Sequence, residues 1–107
     1  MATLDELYTQ TISEHRDYLA KLQSAFNQHC DEITKIAKDK MKAVPETEVE
    51  TRKKIFGEQK KELDEALANL KTEIDSSNAK TRKKLEEIHT QREAIKLKEL
   101  EDMMNKV

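Results

Sequence analysis

The chain is poor in the residues that build tight turns and covalent cross-links. Its 107 residues include one glycine, one proline, one cysteine and no tryptophan, and aromatic residues make up only 4%. One glycine and one proline cannot supply the turns of a protein with many β-strands. One cysteine cannot form an internal disulfide framework. These scarcities exclude β-rich folds and small disulfide-rich folds.

The sequence also lacks long apolar runs and an excess of charge of one sign. Apolar residues occur only in runs far shorter than a bilayer span, so we expect no transmembrane segment. The 20 Lys and Arg residues nearly balance the 22 Asp and Glu residues, which gives a net charge of −2. Basic clusters such as 52–54 and 82–84 lie among acidic residues, and stacking aromatics are absent. We therefore predict no nucleic-acid partner.

A repeating spacing of apolar residues occupies the first third of the chain. From Tyr8 to Ile36, apolar and histidine side chains recur at alternating steps of four and three residues. This heptad spacing is typical of a helix that packs along another helix. It assigns Ile12, Leu19, Phe26 and Ile33 to one core position, and Tyr8, His15, Leu22, His29 and Ile36 to the other.

Capping signals and a proline predict where the helices begin and end. Thr3 and Glu6 form a capping box ahead of a helix predicted over residues 4–43. Pro45 disfavours helix at the residue before it, which predicts a turn over residues 44–46. Thr47 and Glu50 form a second capping box. A second helix should therefore begin at residue 47 and fold back antiparallel to the first.

The stretch 75–78 leaves the number of helices open. Its four residues are weak helix formers, and Leu85 follows Ile74 eleven residues later. This step is compatible with a turn between helices over 47–76 and 79–105, or with one continuous helix. We predict a single all-α domain over residues 1–107 with no β-sheet, either a long antiparallel coiled-coil hairpin or an elongated three-helix bundle. The absence of Gly and Pro from this stretch favours the hairpin.

The apolar residues also select a packing seam and a candidate protein interface. The predicted seam consists of Ile12, Leu19, Leu22, Phe26, Ile33, Ile36, Phe56, Leu63, Leu67, Leu70 and Ile74. In a two-helix hairpin, the longer second arm would extend past the first and leave its last apolar residues uncovered. The predicted interface residues there are Ile88, Ile95, Leu100 and Met104.

No combination of residues predicts catalysis, a cofactor or a metal site. His15 and His29 lie about 21 Å apart along one helix. Cys30 directly follows His29, which directs the two side chains about 100° apart. The sequence contains no metal-site spacing and no glycine-rich phosphate loop. We therefore predict no catalytic residues, no cofactor and no metal ligands, and interpret His15 and His29 as polar residues of the seam.

These features predict a non-enzymatic protein that acts by helix–helix association. We expect a protein partner or a second copy of the chain in a homodimer. The alternative is a reversible amphipathic-helix lipid binder similar to an apolipoprotein, which the acidic residues of the polar face and the lack of tryptophan disfavour. The N-terminal residues do not read as a secretory or mitochondrial import signal, so we expect a cytoplasmic protein.

Overall fold

A computed structural model describes residues 2–106, which form two α-helices joined by a short turn. Helix α1 spans Leu4–Lys42 and helix α2 spans Val49–Asn105. No β-strand occurs in residues 2–106. The fold is an all-α helical hairpin, which confirms the predicted fold class and selects the two-helix alternative.

The chain divides into two compact units. Unit 1 combines the described residues up to Tyr18 with those from Asp75 onward, and unit 2 spans Leu19–Ile74. Each unit therefore contains a segment of α1 and a segment of α2, and the turn belongs to unit 2.

Helix α1 begins at the predicted cap. The hydroxyl oxygen of Thr3 accepts a hydrogen bond from the backbone N–H of Glu6 at 3.1 Å, which satisfies one of the donors that a helix start leaves free. Acidic residues occupy the first turn and Lys40 and Lys42 the last, as the helix dipole favours. The helix ends at Lys42, one residue before the predicted end.

The turn differs from the prediction in its cap. The backbone N–H of Glu48 binds the carbonyl of Pro45 at 3.1 Å, and the N–H of Arg52 binds the carbonyl of Glu48. Because the first helical hydrogen bond ends on Glu48, α2 begins at Val49 rather than at residue 47. The guanidinium of Arg52 donates to the carbonyls of Val44 and Pro45, at 3.2 and 3.4 Å. Arg52 thus joins the first turn of α2 to the carbonyls of the connecting turn.

Helix α2 continues through residues 75–78 without interruption. Weak helix formers such as serine and asparagine cost only about 0.5 kcal/mol each relative to alanine, and neither glycine nor proline interrupts this stretch. Ser77 of this stretch faces α1 and hydrogen bonds to His15, which offsets part of the penalty. The helix boundary predicted between residues 76 and 79 is therefore absent from α2.

The covered side of each helix repeats every eleven residues, at steps of four, four and three. Apart from Ser13 and Thr34, every buried or half-buried helical residue falls on this repeat. Eleven residues complete three turns at about 3.67 residues per turn, close to the 3.6 of an undistorted helix. The stripe therefore stays on one side of a long helix, which we call the contact face. In unit 2 the face includes Leu19, Leu22, Phe26, Cys30, Ile33, Ala37 and Met41 of α1 and Ile55, Gln59, Leu63, Ala66, Leu70 and Ile74 of α2.

The predicted heptad spacing is wrong. Seven residues fall about 20° short of two full turns in a straight helix, so a series followed in steps of seven drifts across the contact face. Ile12 and Ile36 fall outside the face on opposite sides, and their side chains are 39% and 53% exposed. Phe56 and Leu67 of the predicted seam are also exposed. The other predicted seam residues lie on the contact face: Leu19, Leu22, Phe26, Ile33, Leu63, Leu70 and Ile74.

The buried core is thin. The buried apolar residues within the described range are Ile33, Ala37, Ile55, Ala66 and Ile88. Two of them are alanines, whose small side chains allow close approach of the neighbouring helix. A two-helix contact covers only one stripe of each helix, and most of the stability of an amphipathic helix comes from such packing. Many apolar side chains of the hairpin consequently retain contact with water.

Replacing Gly57 with alanine should stabilise the protein. Gly57 lies inside α2 without a positive φ, and an added Cβ would meet no atom within 4 Å. The substitution should therefore raise the free energy of unfolding by about 0.5–1 kcal/mol, measured by thermal denaturation. Ala68 lies eleven residues later at the equivalent exposed position, and Ala68→Gly should lower stability by a similar amount. An unchanged or lower melting temperature for Gly57→Ala would contradict this reading.

Candidate interaction surface

The start of α1 lies beside residues 92–99 of α2 in unit 1. The guanidinium of Arg92 forms an ion pair with the carboxylate of Asp5 and lies 4.9 Å from the ring centre of Tyr8. Thr3 and Leu4 line a shallow groove together with Ile95 and Glu99. Because α1 begins at Leu4 and α2 continues to Asn105, the last turns of α2 extend past the first residues of α1.

These last turns, residues 95–105, form what we call the terminal segment, and its apolar side chains are exposed. Leu100 is 56% exposed and Met104 is 76% exposed, although both are large apolar residues. Leu97, Leu100 and Met104 follow each other at steps of three and four, so they share one side of the helix. The terminal segment thus presents an apolar stripe that no described residue covers.

Three of the four predicted interface residues lie in this segment, and one does not. Ile95, Leu100 and Met104 are exposed there. Ile88 is only 8% exposed and belongs to the contact face of unit 1, so it is a packing residue rather than part of an interface. The reason is that α1 reaches as far along α2 as Arg92, which leaves a shorter uncovered end than the sequence suggested. Leu97 belongs to the stripe, and its spacing from Leu100 and Met104 could have identified it.

A polar layer occupies the contact face of unit 1. The Nδ1 atom of His15 lies 3.1 Å from the hydroxyl oxygen of Ser77 and 3.0 Å from that of Thr81. Ser77 and Thr81 are one turn apart on α2, so both hydroxyls reach the same ring nitrogen. Polar side chains that pair in this way within a helix–helix contact fix the register of the two helices. His15 therefore lies in the seam as predicted from its spacing, whereas its hydroxyl partners were not predicted.

The other candidate ligands do not come together. His29 is exposed and lies off the contact face, so the prediction that it is a polar residue of the seam is wrong. The half-buried Cys30 carries a free thiol, and Nε2 of His89 lies 3.0 Å from Oε1 of Glu93 on the same helix. Within residues 2–106 no group of three or more His, Cys, Asp or Glu side chains could hold a metal ion. No helix in that range has the length and apolar character needed to cross a membrane.

Unit 2 contains a groove of about 350 Å³ between α1 and α2. Its floor is apolar, and its α2 rim carries carboxylates. The residues that line it are Leu22, Ala25, Phe26, His29, Glu62, Glu65, Ala66, Asn69, Leu70 and Glu73. The groove is open to solvent along one side of the hairpin, so it is suited to a projecting side chain rather than to an enclosed small molecule.

In comparisons with known proteins, no family model, curated protein or solved structure matches this chain.

Proposed function

We propose that this protein is a non-enzymatic coiled-coil protein that acts by helix–helix association, as a scaffold or adaptor in the cytoplasm. The observation that carries the proposal is the exposed apolar stripe of the terminal segment, Leu97, Leu100 and Met104. Its proposed occupant is an amphipathic helix of another protein chain.

Burial of this stripe against a partner helix would contribute binding free energy and would stabilise the end of α2. Complete burial of one leucine or methionine side chain contributes roughly 1.5–3 kcal/mol. A helix end of this length is marginal in water without packing along an apolar face. A helix with apolar residues at steps of three and four would fit the stripe, because the stripe itself has that spacing.

The charges of the terminal segment favour a protein partner over a lipid surface. Glu99, Glu101 and Asp102 lie within it, against Lys96 and Lys98. Helices that bind membrane surfaces usually carry basic polar faces that attract anionic lipids, and these carboxylates would oppose such attraction. The lipid-binding alternative is therefore an outcome of the test rather than a second proposal.

The test uses a photo-reactive residue at position 97 of the full chain, in cells that express the protein. We expect discrete protein adducts that are lost in a Leu100→Glu variant. A Lys98→Glu variant is the matched control, because residue 98 points away from the stripe, and its adducts should persist. Adducts of twice the chain mass would indicate a homodimer through the terminal segments and would also support the proposal.

Two results would overturn it. One is the absence of discrete protein adducts, or adducts that Leu100→Glu does not reduce. The other is a gain of helicity when the purified chain is mixed with phosphatidylserine vesicles, together with adducts to lipid alone, which would favour the lipid-binding alternative. Circular dichroism of both variants shows whether the helices are intact.

A further inference from the structure

One side of unit 2 is acidic and grooved. Glu62, Glu65 and Glu73 lie along the α2 rim of the groove and are exposed. Within the described residues, no Lys or Arg nitrogen lies within 4.0 Å of these three carboxylates. Glu58, one turn before Glu62, already pairs with Lys40 at 3.8 Å. We call this side, with its apolar floor, the groove face.

The other side of unit 2 carries two lysines and projecting apolar side chains, beside the exposed Asp64. Phe56 precedes Glu62 by six residues, which places the two about 120° apart around the axis of α2. Leu67 likewise precedes Glu73 by six residues, so these two side chains are also about 120° apart. Phe56 and Leu67 are 58% and 56% exposed. The side chains that define this side, the basic face, are Phe56, Lys60, Leu67 and Lys71.

The two faces share one spacing along the helix axis. Phe56 and Leu67 are eleven residues apart, as are Lys60 and Lys71, and as are Glu62 and Glu73. At 1.5 Å per residue each separation is about 16.5 Å. Two projecting apolar side chains and two ammonium groups on one face therefore match an apolar floor and two carboxylates on the other. Because every one of these groups lies in the same chain, the surface that complements the groove face is present on each copy.

We propose that copies of this chain stack through unit 2, with Phe56 and Leu67 of one copy seated in the groove of the next. Lys60 and Lys71 then face Glu62 and Glu73 of that next copy. The inference rests on the proposed function, since it names a second copy as a partner for helix–helix association, but it uses unit 2 rather than the terminal segment.

Such stacking joins two different surfaces, so a pair of copies leaves one surface of each kind unoccupied. A copy that uses its basic face on one neighbour still presents its groove face to another, so the assembly grows beyond a dimer. Opposite charges around an exposed contact are screened by salt. The stacks should therefore lengthen as the protein concentration rises and shorten as the ionic strength rises.

Sedimentation velocity of the purified full chain tests this proposal with two charge-reversal variants, Lys60→Glu/Lys71→Glu and Glu62→Lys/Glu73→Lys. We expect wild type to shift to larger species with concentration at low salt and to lose most of that shift at about 0.5 M salt. Each variant alone should associate at least roughly tenfold more weakly, because like charges would then face each other. An equimolar mixture of the two should regain association, because each variant complements the other. Circular dichroism confirms that these exposed substitutions leave the helices intact.

The possible outcomes separate this inference from the proposed function. Wild type that stays monomeric at every concentration and salt, or a mixture that associates no better than either variant alone, would overturn the stacking. If stacking is overturned but photo-adducts at position 97 still form, the proposed helix–helix association through the terminal segment remains supported. A Leu100→Glu variant should stack like wild type, and loss of stacking in that variant would place the self-contact in the terminal segment instead.

Discussion

Replacing Ile33 with aspartate should lower the free energy of unfolding by about 3–5 kcal/mol. Ile33 is 4% exposed, the lowest value among the buried apolar residues. A carboxylate at this position would lose its water without gaining a partner. Chemical denaturation followed by circular dichroism measures the effect. If the aspartate variant does not fold, Ile33→Ala should still fold and lose about 2–4 kcal/mol.

The matched control is Ile36→Asp. Ile36 is the same residue type three positions away on the same helix, but it is largely exposed, so we expect a cost below about 1 kcal/mol. A heptad seam would include both isoleucines, whereas the eleven-residue contact face includes only Ile33. Equal losses of stability for the two variants would contradict the contact face described for α1.

Replacing Ile88 with aspartate should disrupt unit 1, at a cost of about 3 kcal/mol. Ile88 is buried against α1, so a charge there would separate the helices near the polar layer of His15. Amide hydrogen exchange should accelerate in residues 4–18 and 75–92 relative to wild type.

Leu100→Asp is the comparison for this prediction. Leu100 lies in the terminal segment, where the structure leaves it exposed, and its substitution should leave the melting temperature within about 2 °C of wild type. A loss of stability similar to that of Ile88→Asp would show that residue 100 is packed in the free chain, and the terminal segment would then not be available to a partner.

The parts of the fold that depend on local chemistry could be predicted from the sequence. Thr3 lies at a helix start because its hydroxyl can accept a backbone hydrogen bond, and Pro45 interrupts a helix because it lacks an N–H. These signals act over a few residues, so one sequence is enough to read them. The end of α1 within one residue follows from them, whereas the all-α fold follows from the scarcity of glycine and proline and from the helical spacing of the apolar residues.

The period of the contact face required the structure. Heptad and eleven-residue patterns both contain steps of three and four, and they differ only in where an extra four is inserted. From His15 to Phe26 the two patterns select the same residues, and they diverge at Ile12, at His29, where Cys30 is covered instead, and at Ile36. Ala37 and Ala66 are buried on the contact face, and a search for large apolar residues overlooks them. The carbonyls bound by Arg52 likewise depend on the path of the turn.

The polar layer in unit 1 also restricts how the two helices can be aligned lengthwise. The contact face repeats every eleven residues, so shifting one helix by eleven residues would still place its contact face against that of the other helix. Apolar packing alone would therefore distinguish only weakly between the shifted and the unshifted alignment. After a slide toward the C-terminus, His15 would face Ile88 and Arg92 instead of Ser77 and Thr81. The imidazole would then lose both hydroxyl partners, at a cost of about 1–3 kcal/mol. The hydrogen bonds of one histidine thus favour a single lengthwise alignment of the two helices in unit 1.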